Sequence, residues 1–276
     1  MGLSWTDWRA TIKVCGPYEI LFGHVSTVSG ELNELIESSP SPNCTEYGGG
    51  DTWVEYCSWT LEFQLEAGEV LGTVGGLDTP NTALDFNAFD WSMDPLPFIN
   101  PSEQPESLLY NVCPLDWFST EISTLLYERR QNWSGFVADS GIGCGKMLQD
   151  VPETAKGLWY GVERIEGDSW SHHLALVVDN ARSGYQTISV ASTVADAGLW
   201  TFVTTSSGTV NRAFGDVAAG GGVHCYENFS SDSNGLPVDG MRFLLEVTTA
   251  DTLLIELQSG NCGASESFST PAEYKR

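Results

Sequence analysis

Apolar and polar positions alternate with a period of two along much of the chain. The register is plainest near the end. Met241, Phe243, Leu245 and Val247 oppose Arg242, Leu244 and Glu246, and then Leu253, Ile255 and Leu257 oppose Thr252, Leu254 and Glu256. Successive side chains of a strand point to opposite faces, so this pattern predicts two half-buried strands. Similar runs, parted by turn residues, cover Gly157–Arg164, His172–Val178, Gln186–Ala191, Leu199–Thr204, Val223–Glu227 and Glu266–Thr270. About eight short strands in succession predict an antiparallel β-barrel or sandwich over 151–276.

The first half is also mostly β but less regular. Ala10–Cys15 and Tyr18–Phe22 are short strand-like runs parted by Gly16-Pro17, and Trp53–Leu65 and Val70–Val74 flank a tight turn at Gly68-Glu69. Glu31–Ser38 has room for a turn or two of helix. Within Leu108–Arg130, Phe118, Ile122, Leu125 and Leu126 follow helical spacing. Residues 132–150 begin with a Gly-, Ser- and Asp-rich stretch and read as a linker. The organisation expected is therefore a β-module over 1–131, a linker over 132–150 and a β-domain over 151–276.

Composition narrows the function. The 276 residues include 12 Lys plus Arg against 37 Asp plus Glu, a formal charge of −25. Such a field repels phosphate backbones and anionic lipid, which argues against nucleic-acid partners and membrane-surface binding. No apolar run is long enough to insert in a membrane as a helix. The opening Met1-Gly2-Leu3-Ser4-Trp5 does not read as a signal peptide. The 7 cysteines contain no CxxC pair, so disulfides in an exported protein are the expectation rather than metal knuckles. Cys225 and Cys262 flank neighbouring late strands and are expected to pair; Cys44 with Cys57 and Cys113 with Cys144 are the further pairings suggested. Asn43-Cys44-Thr45, Asn132-Trp133-Ser134 and Asn228-Phe229-Ser230 have the form of glycosylation sequons.

Residues 18–90 resemble the second half of the lysostaphin-type zinc endopeptidases, which have the duplicated hybrid motif fold. In that family a Tyr-x-His-Leu strand end precedes a Gly-Asp-x-Val turn-and-strand and a final His-Leu-His-Phe. Here Phe22-Gly23-His24-Val25, Gly68-Glu69-Val70-Leu71-Gly72 and Ala83-Leu84-Asp85-Phe86 stand in those places. The resemblance implies a catalytic and a ligand histidine where this chain has Ala83 and Asp85. Alanine neither ligates nor transfers a proton, whereas aspartate still binds metal. No His-x-x-x-Asp precedes His24, the first histidine of the chain. A hydrolytic zinc site needs about three protein ligands and an open position. The module is therefore expected to be degenerate, with no catalytic residues and no cofactor. Were it an enzyme, His24 and Asp85 would carry it, and Asp85 would be the weak metal candidate.

Gly157-Leu158-Trp159 resembles the Gly-x-Trp that opens lipocalin barrels. Together with His173–Asn180 and His224-Cys225-Tyr226-Glu227, the second half resembles bacterial exported proteins that join a peptidase-like module to a C-terminal β-domain of unknown function. His172-His173 does not suit one metal ion, because neighbours on a strand face opposite ways. Asp90-Trp91-Ser92-Met93-Asp94 reads as a solvated turn rather than a calcium or sugar contact, and Gly220-Gly221-Gly222 as a mobile loop. The 10 tryptophans and 9 tyrosines offer stacking faces to a small ligand in a barrel interior. The function expected is secreted or periplasmic and non-catalytic: binding a cell-envelope glycan, peptide or small ligand, or a structural surface role. A lysostaphin-type hydrolase, a hydrolase sited in the second module and a self-assembling surface protein remain the alternatives.

Overall fold

The computed structural model describes residues 7–49, 52–74, 84–131, 135–163, 172–231 and 237–276. The chain forms two compact units, Met1–Ser92 and Met93–Arg276. The division thus falls after Ser92 rather than within 132–150. That expected linker is tied into the second unit by hydrogen bonds from its Asp, Lys and Gln residues. Loop composition alone does not reveal such bonds.

In the first unit β2 (Tyr18–Val28) is the organising strand. It pairs antiparallel with β1 (Trp8–Lys13) on one edge. On the other edge it pairs with β6 (Asp85–Asp90) and then β5 (Gly72–Val74). Its period-two pattern is realised at Leu21, Gly23 and Val25, which are buried. Gly72 has to be glycine, because a Cβ there would sit 2.1 Å from the Thr27 carbonyl oxygen. Ser29 caps α1 (Gly30–Ser38) by accepting from the Leu32 N–H. A two-stranded ribbon follows, β3 (Asn43–Gly49) with β4 (Thr52–Ser58), and Cys44 lies directly opposite Cys57.

In the second unit β7 (Asn111–Val112) and α2 (Thr120–Arg129) precede the sheet strands. The expected helix over Leu108–Arg130 is shorter than its apolar spacing suggests. Its first part is a 3-10 turn at Glu106–Tyr110, and Pro114 opens another at Pro114–Trp117. Phe118, Ile122 and Leu125 remain exposed.

The rest is one curled antiparallel sheet of ten strands that forms a half-barrel. The strands are β8 (Gly157–Gly161), β9 (His173–Val178), β10 (Tyr185–Val190), β11 (Gly198–Val203), β12 (His224–Tyr226), β13 (Phe229–Ser231), β14 (Pro237–Val238), β15 (Met241–Thr249), β16 (Thr252–Ser259) and β17 (Ala272–Lys275). Their order is β12-β15-β16-β17-β8-β9-β10-β11-β13-β14. Only Glu227 and Asn228 separate β12 from β13, yet β12 pairs with β15 and β13 with β11. Asn228 turns the chain between them with a left-handed φ of 57°.

Alternate residues from these strands fill the interior. Trp159, Leu176, Ile188, Phe202, Tyr226, Phe243, Leu245, Leu253, Ile255 and Tyr274 are all at most 1 % exposed. Phe202 meets Phe214, Tyr226 and Phe229 edge-on, and Phe229 meets Phe243. These aromatic residues of the half-barrel are therefore spent on a packed core. Burying each large side chain contributes about 1.5–3 kcal/mol.

One expected strand is displaced. Glu266–Thr270 is irregular, and Ser269 and Thr270 donate their backbone N–H groups to the Glu256 carboxylate. The strand forms beyond Pro271, at Ala272–Lys275, and joins β16 to β8. The Gly220-Gly221-Gly222 loop is held as well, since Gly220 donates to the Val247 carbonyl and Gly221 to that of Ala218.

Candidate functional site

His24 sits at an irregular point of β2. Trp8 pairs with Val25 and Ala10 with Phe22, so Gly23 and His24 together oppose Arg9 alone. This is a β-bulge, and His24 occupies it with a left-handed φ of 59°. A non-glycine residue there is strained by about 1 kcal/mol or more. The bulge re-aims the imidazole between two carboxylates. Nδ1 lies 2.7 Å from Asp7 Oδ2, and Nε2 lies 3.5 Å from Asp85 Oδ2. Asp85 is cross-strand from Gly23, whose lack of a side chain leaves room for the carboxylate; a Cβ on Gly23 would meet Asp85 Cβ at 3.0 Å.

The fold thus brings His24 and Asp85 together and adds Asp7, which the motif comparison did not single out. Ala83 lies outside the described residues. The three side chains do not fit a zinc site. Asp7 and Asp85 address opposite nitrogens of one ring, so they cannot converge on a single ion together with it. Asp85 and His24 alone fall short of the three ligands that a hydrolytic zinc needs.

Two other groupings offer ligand-type atoms among the described residues, Cys44 with Glu55 and Cys57, and Cys225 with Cys262 and Glu266. The cysteines of both are joined in disulfides, as are Cys113 and Cys144, and so present no thiolate. Cys15 is free and exposed. Three disulfides fit an oxidising, extracellular compartment. No described helix is long and apolar enough to cross a membrane.

His172 and His173 do not face opposite ways as strand neighbours would, because β9 begins only at His173. Their rings meet edge-on at 4.6 Å, and Tyr160 meets His173 at 5.2 Å. His172 is 2 % exposed, with Nε2 3.7 Å from Glu103 Oε2. Burial, with Asp150 and Glu103 nearby, pushes the Tyr160 hydroxyl up to about 12. At Asp90-Trp91-Ser92 the Asp90 carboxylate accepts from both the N–H and the hydroxyl of Ser92, which closes the expected turn.

A recess lies elsewhere in the chain. At the β9–β10 hairpin a cleft of about 360 Å³ opens in the second unit. Val178 and Gln186 share the parity of Leu176 and Ile188, so the cleft begins where the core face of the sheet runs out.

The turn is held by its own side chains. Asp179 Oδ1 accepts from the N–H groups of Ala181 and Arg182, and its Oδ2 accepts from Arg182 Nε at 2.8 Å. The Arg182 guanidinium lies between the rings of Phe136 and Tyr185, 4.7 and 4.5 Å from their centroids.

The former linker closes the other wall. Asp139 accepts from the N–H and hydroxyl of Ser183, which holds its carboxyl below the usual range. Asn180 exchanges hydrogen bonds with the backbone of Lys146. Gln149 bonds both the N–H and the C=O of Val178. Gly145 permits this approach. Its φ is +80°, and a Cβ there would come within 2.5 Å of the Asn180 side chain.

No family model, no curated protein and no solved structure matches the chain. The cleft therefore has to be understood from its own chemistry. Sequence reasoning missed it because residues 137–149 carry no periodic pattern. The one available signal was the turn run Asp179-Asn180-Ala181-Arg182-Ser183-Gly184, rich in side chains that bond their own backbone.

Proposed function

We propose that the protein is an exported, non-catalytic binding protein that takes a cell-envelope glycan in the cleft at the β9–β10 hairpin. The observation that carries this reading is the cleft itself. It is a recess at the edge of the half-barrel whose mostly apolar surface is set with a few polar side chains, the kind of place where small ligands bind. Tyr185 and the hairpin turn provide one wall, and the packed interior leaves that edge as the position for a ligand. The first unit fits the role of a degenerate peptidase-like scaffold. Its histidine is held by carboxylates on both nitrogens and has no partner set for a metal.

The lipocalin-like reading of the second unit draws support from Gly157-Leu158-Trp159. Trp159 lies on the first strand of the barrel series under the guanidinium of Arg276, 4.1 Å from its ring centroid. The three disulfides support secretion.

The test is a glycan array of cell-envelope fragments followed by titration calorimetry with the best hit. Expected is saturable one-to-one binding that is lost in Arg182→Ala and kept in Asp85→Ala. Absence of binding to every fragment would overturn the reading. Elemental mass spectrometry of protein purified without chelator provides a second check, with zinc expected far below one per chain. About one zinc per chain, removed by Asp85→Ala, would favour the hydrolase instead.

A further inference from the structure

The binding reading leaves the ligand's charge open, and the spent and unspent atoms of the cleft decide it. Its carboxylate and side-chain amide acceptors are largely engaged. Both Asp179 oxygens hold the turn, and the Asn180 side-chain oxygen accepts from Lys146 N–H. The neighbouring Asp139 Oδ2 is taken by Ser183.

Several donors are unused. Arg182 has Nε on Asp179, while its two Nη groups have no partner among the described residues. The rings of Phe136 and Tyr185 pack against that guanidinium. Lys146 is exposed and has no ion-pair partner among the described residues. Gln186 is only 8 % exposed and lines the cleft; its Oε1 accepts from Phe214 N–H, and its Nε2 has no partner among the described residues. That amide nitrogen is therefore a donor open to a ligand that accepts.

We infer that the ligand carries a carboxylate, as a uronic-acid saccharide does, and that Arg182, Lys146 and Gln186 hold it. This rests on the cleft being the binding site. A planar carboxylate matches the two Nη donors of the guanidinium. Lys146 adds an unneutralised positive charge, and the Gln186 amide reaches from the buried side. Arg182 is ion-paired with Asp179, which also lines the cleft, so Lys146 supplies the charge not already matched there.

The experiment titrates three probes into the full chain by calorimetry: tetragalacturonate, neutral cellotetraose and inorganic phosphate. Tetragalacturonate should bind at least about tenfold more tightly than cellotetraose. Lys146→Gln, on an exposed side chain, should weaken the uronate about three- to fivefold, more than it weakens cellotetraose. Gln186→Glu keeps an acceptor for Phe214 but brings a negative charge, and should abolish uronate binding. A ¹⁵N spectrum of each variant shows whether it is folded, and in the parent the Gln186 side-chain amide signals should shift on uronate binding.

Equal affinity for tetragalacturonate and cellotetraose overturns the carboxylate assignment while leaving the glycan reading intact. Binding of phosphate without uronate overturns it in favour of a phosphorylated ligand. Failure of all three probes, together with a blank glycan array, overturns the binding reading itself.

Discussion

Arg276 gathers more polar bonds than any residue around it. Its Nη1 donates to the carbonyl of Lys156, its Nη2 to those of Val151 and Thr154, and its Nε to that of Ala250. Its guanidinium covers Trp159, whose Nε1 donates to Ala155. One side chain therefore ties the last strand to the segment leading into β8. Arg276→Ala removes charge-assisted bonds and a cation–π contact and should destabilise the protein by about 2–4 kcal/mol in urea unfolding. A loss below about 0.5 kcal/mol would mean that water replaces those bonds freely.

His224 gives a second test at this scale. It is 7 % exposed, and burial, with Arg212 nearby, lowers its affinity for a proton. A histidine depressed in the folded state binds fewer protons there than in the unfolded chain. Stability is then full above the ordinary histidine value of 6.5 and falls as the pH drops from it towards the depressed value. His224→Gln should flatten the urea-midpoint profile in that window, and an unchanged profile would assign the slope to other groups.

Among elements, the β12–β15–β16 edge is stapled by Cys225–Cys262, which spans 37 residues. Closing such a loop stabilises by roughly 4 kcal/mol in the chain-entropy account. The Cys225→Ala, Cys262→Ala double variant should unfold at correspondingly lower urea, while the Cys44→Ala, Cys57→Ala pair should leave the second unit's transition in place. Equal effects would show that the two units unfold together.

The elements also show what was legible in the sequence. Strands β8 to β12, β15 and β16 lie close to their expected places, because one buried face imposes period two on each. The three cysteine pairs are those suggested, Cys225–Cys262 on the ground that it joins neighbouring late strands. Strand β17 was placed too early because it is short, its other partner β8 is distant in sequence, and only Tyr274 marks its buried side. Strands β13 and β14 are too short to show a period. His24 and Asp85 could be named from a motif, whereas Asp7 joins them through pairing of β1 with β2. The cleft was illegible for a related reason: its walls are held by side-chain bonds to backbone at Asp139, Asn180 and Gln149, which follow no spacing rule.

The whole molecule sets how an anionic ligand arrives. With a formal charge of −25, the protein repels a uronate at a distance, although Arg182 and Lys146 attract it at contact. These two effects respond differently to salt. The Debye length is about 30 Å at 0.01 M and about 8 Å at 0.15 M, so salt removes the long-range repulsion first. The Arg182 side chain is only 12 % exposed, and a contact made there is screened much less. Raising the salt from 0.01 to 0.15 M should therefore speed tetragalacturonate association several-fold in stopped-flow tryptophan fluorescence and leave its dissociation rate nearly constant. Cellotetraose, being neutral, should show neither change. Association that slows with salt would mean that the field at the cleft mouth is already positive. The two cations would then steer the ligand as well as hold it, and the acidity of the remaining surface would serve solubility alone.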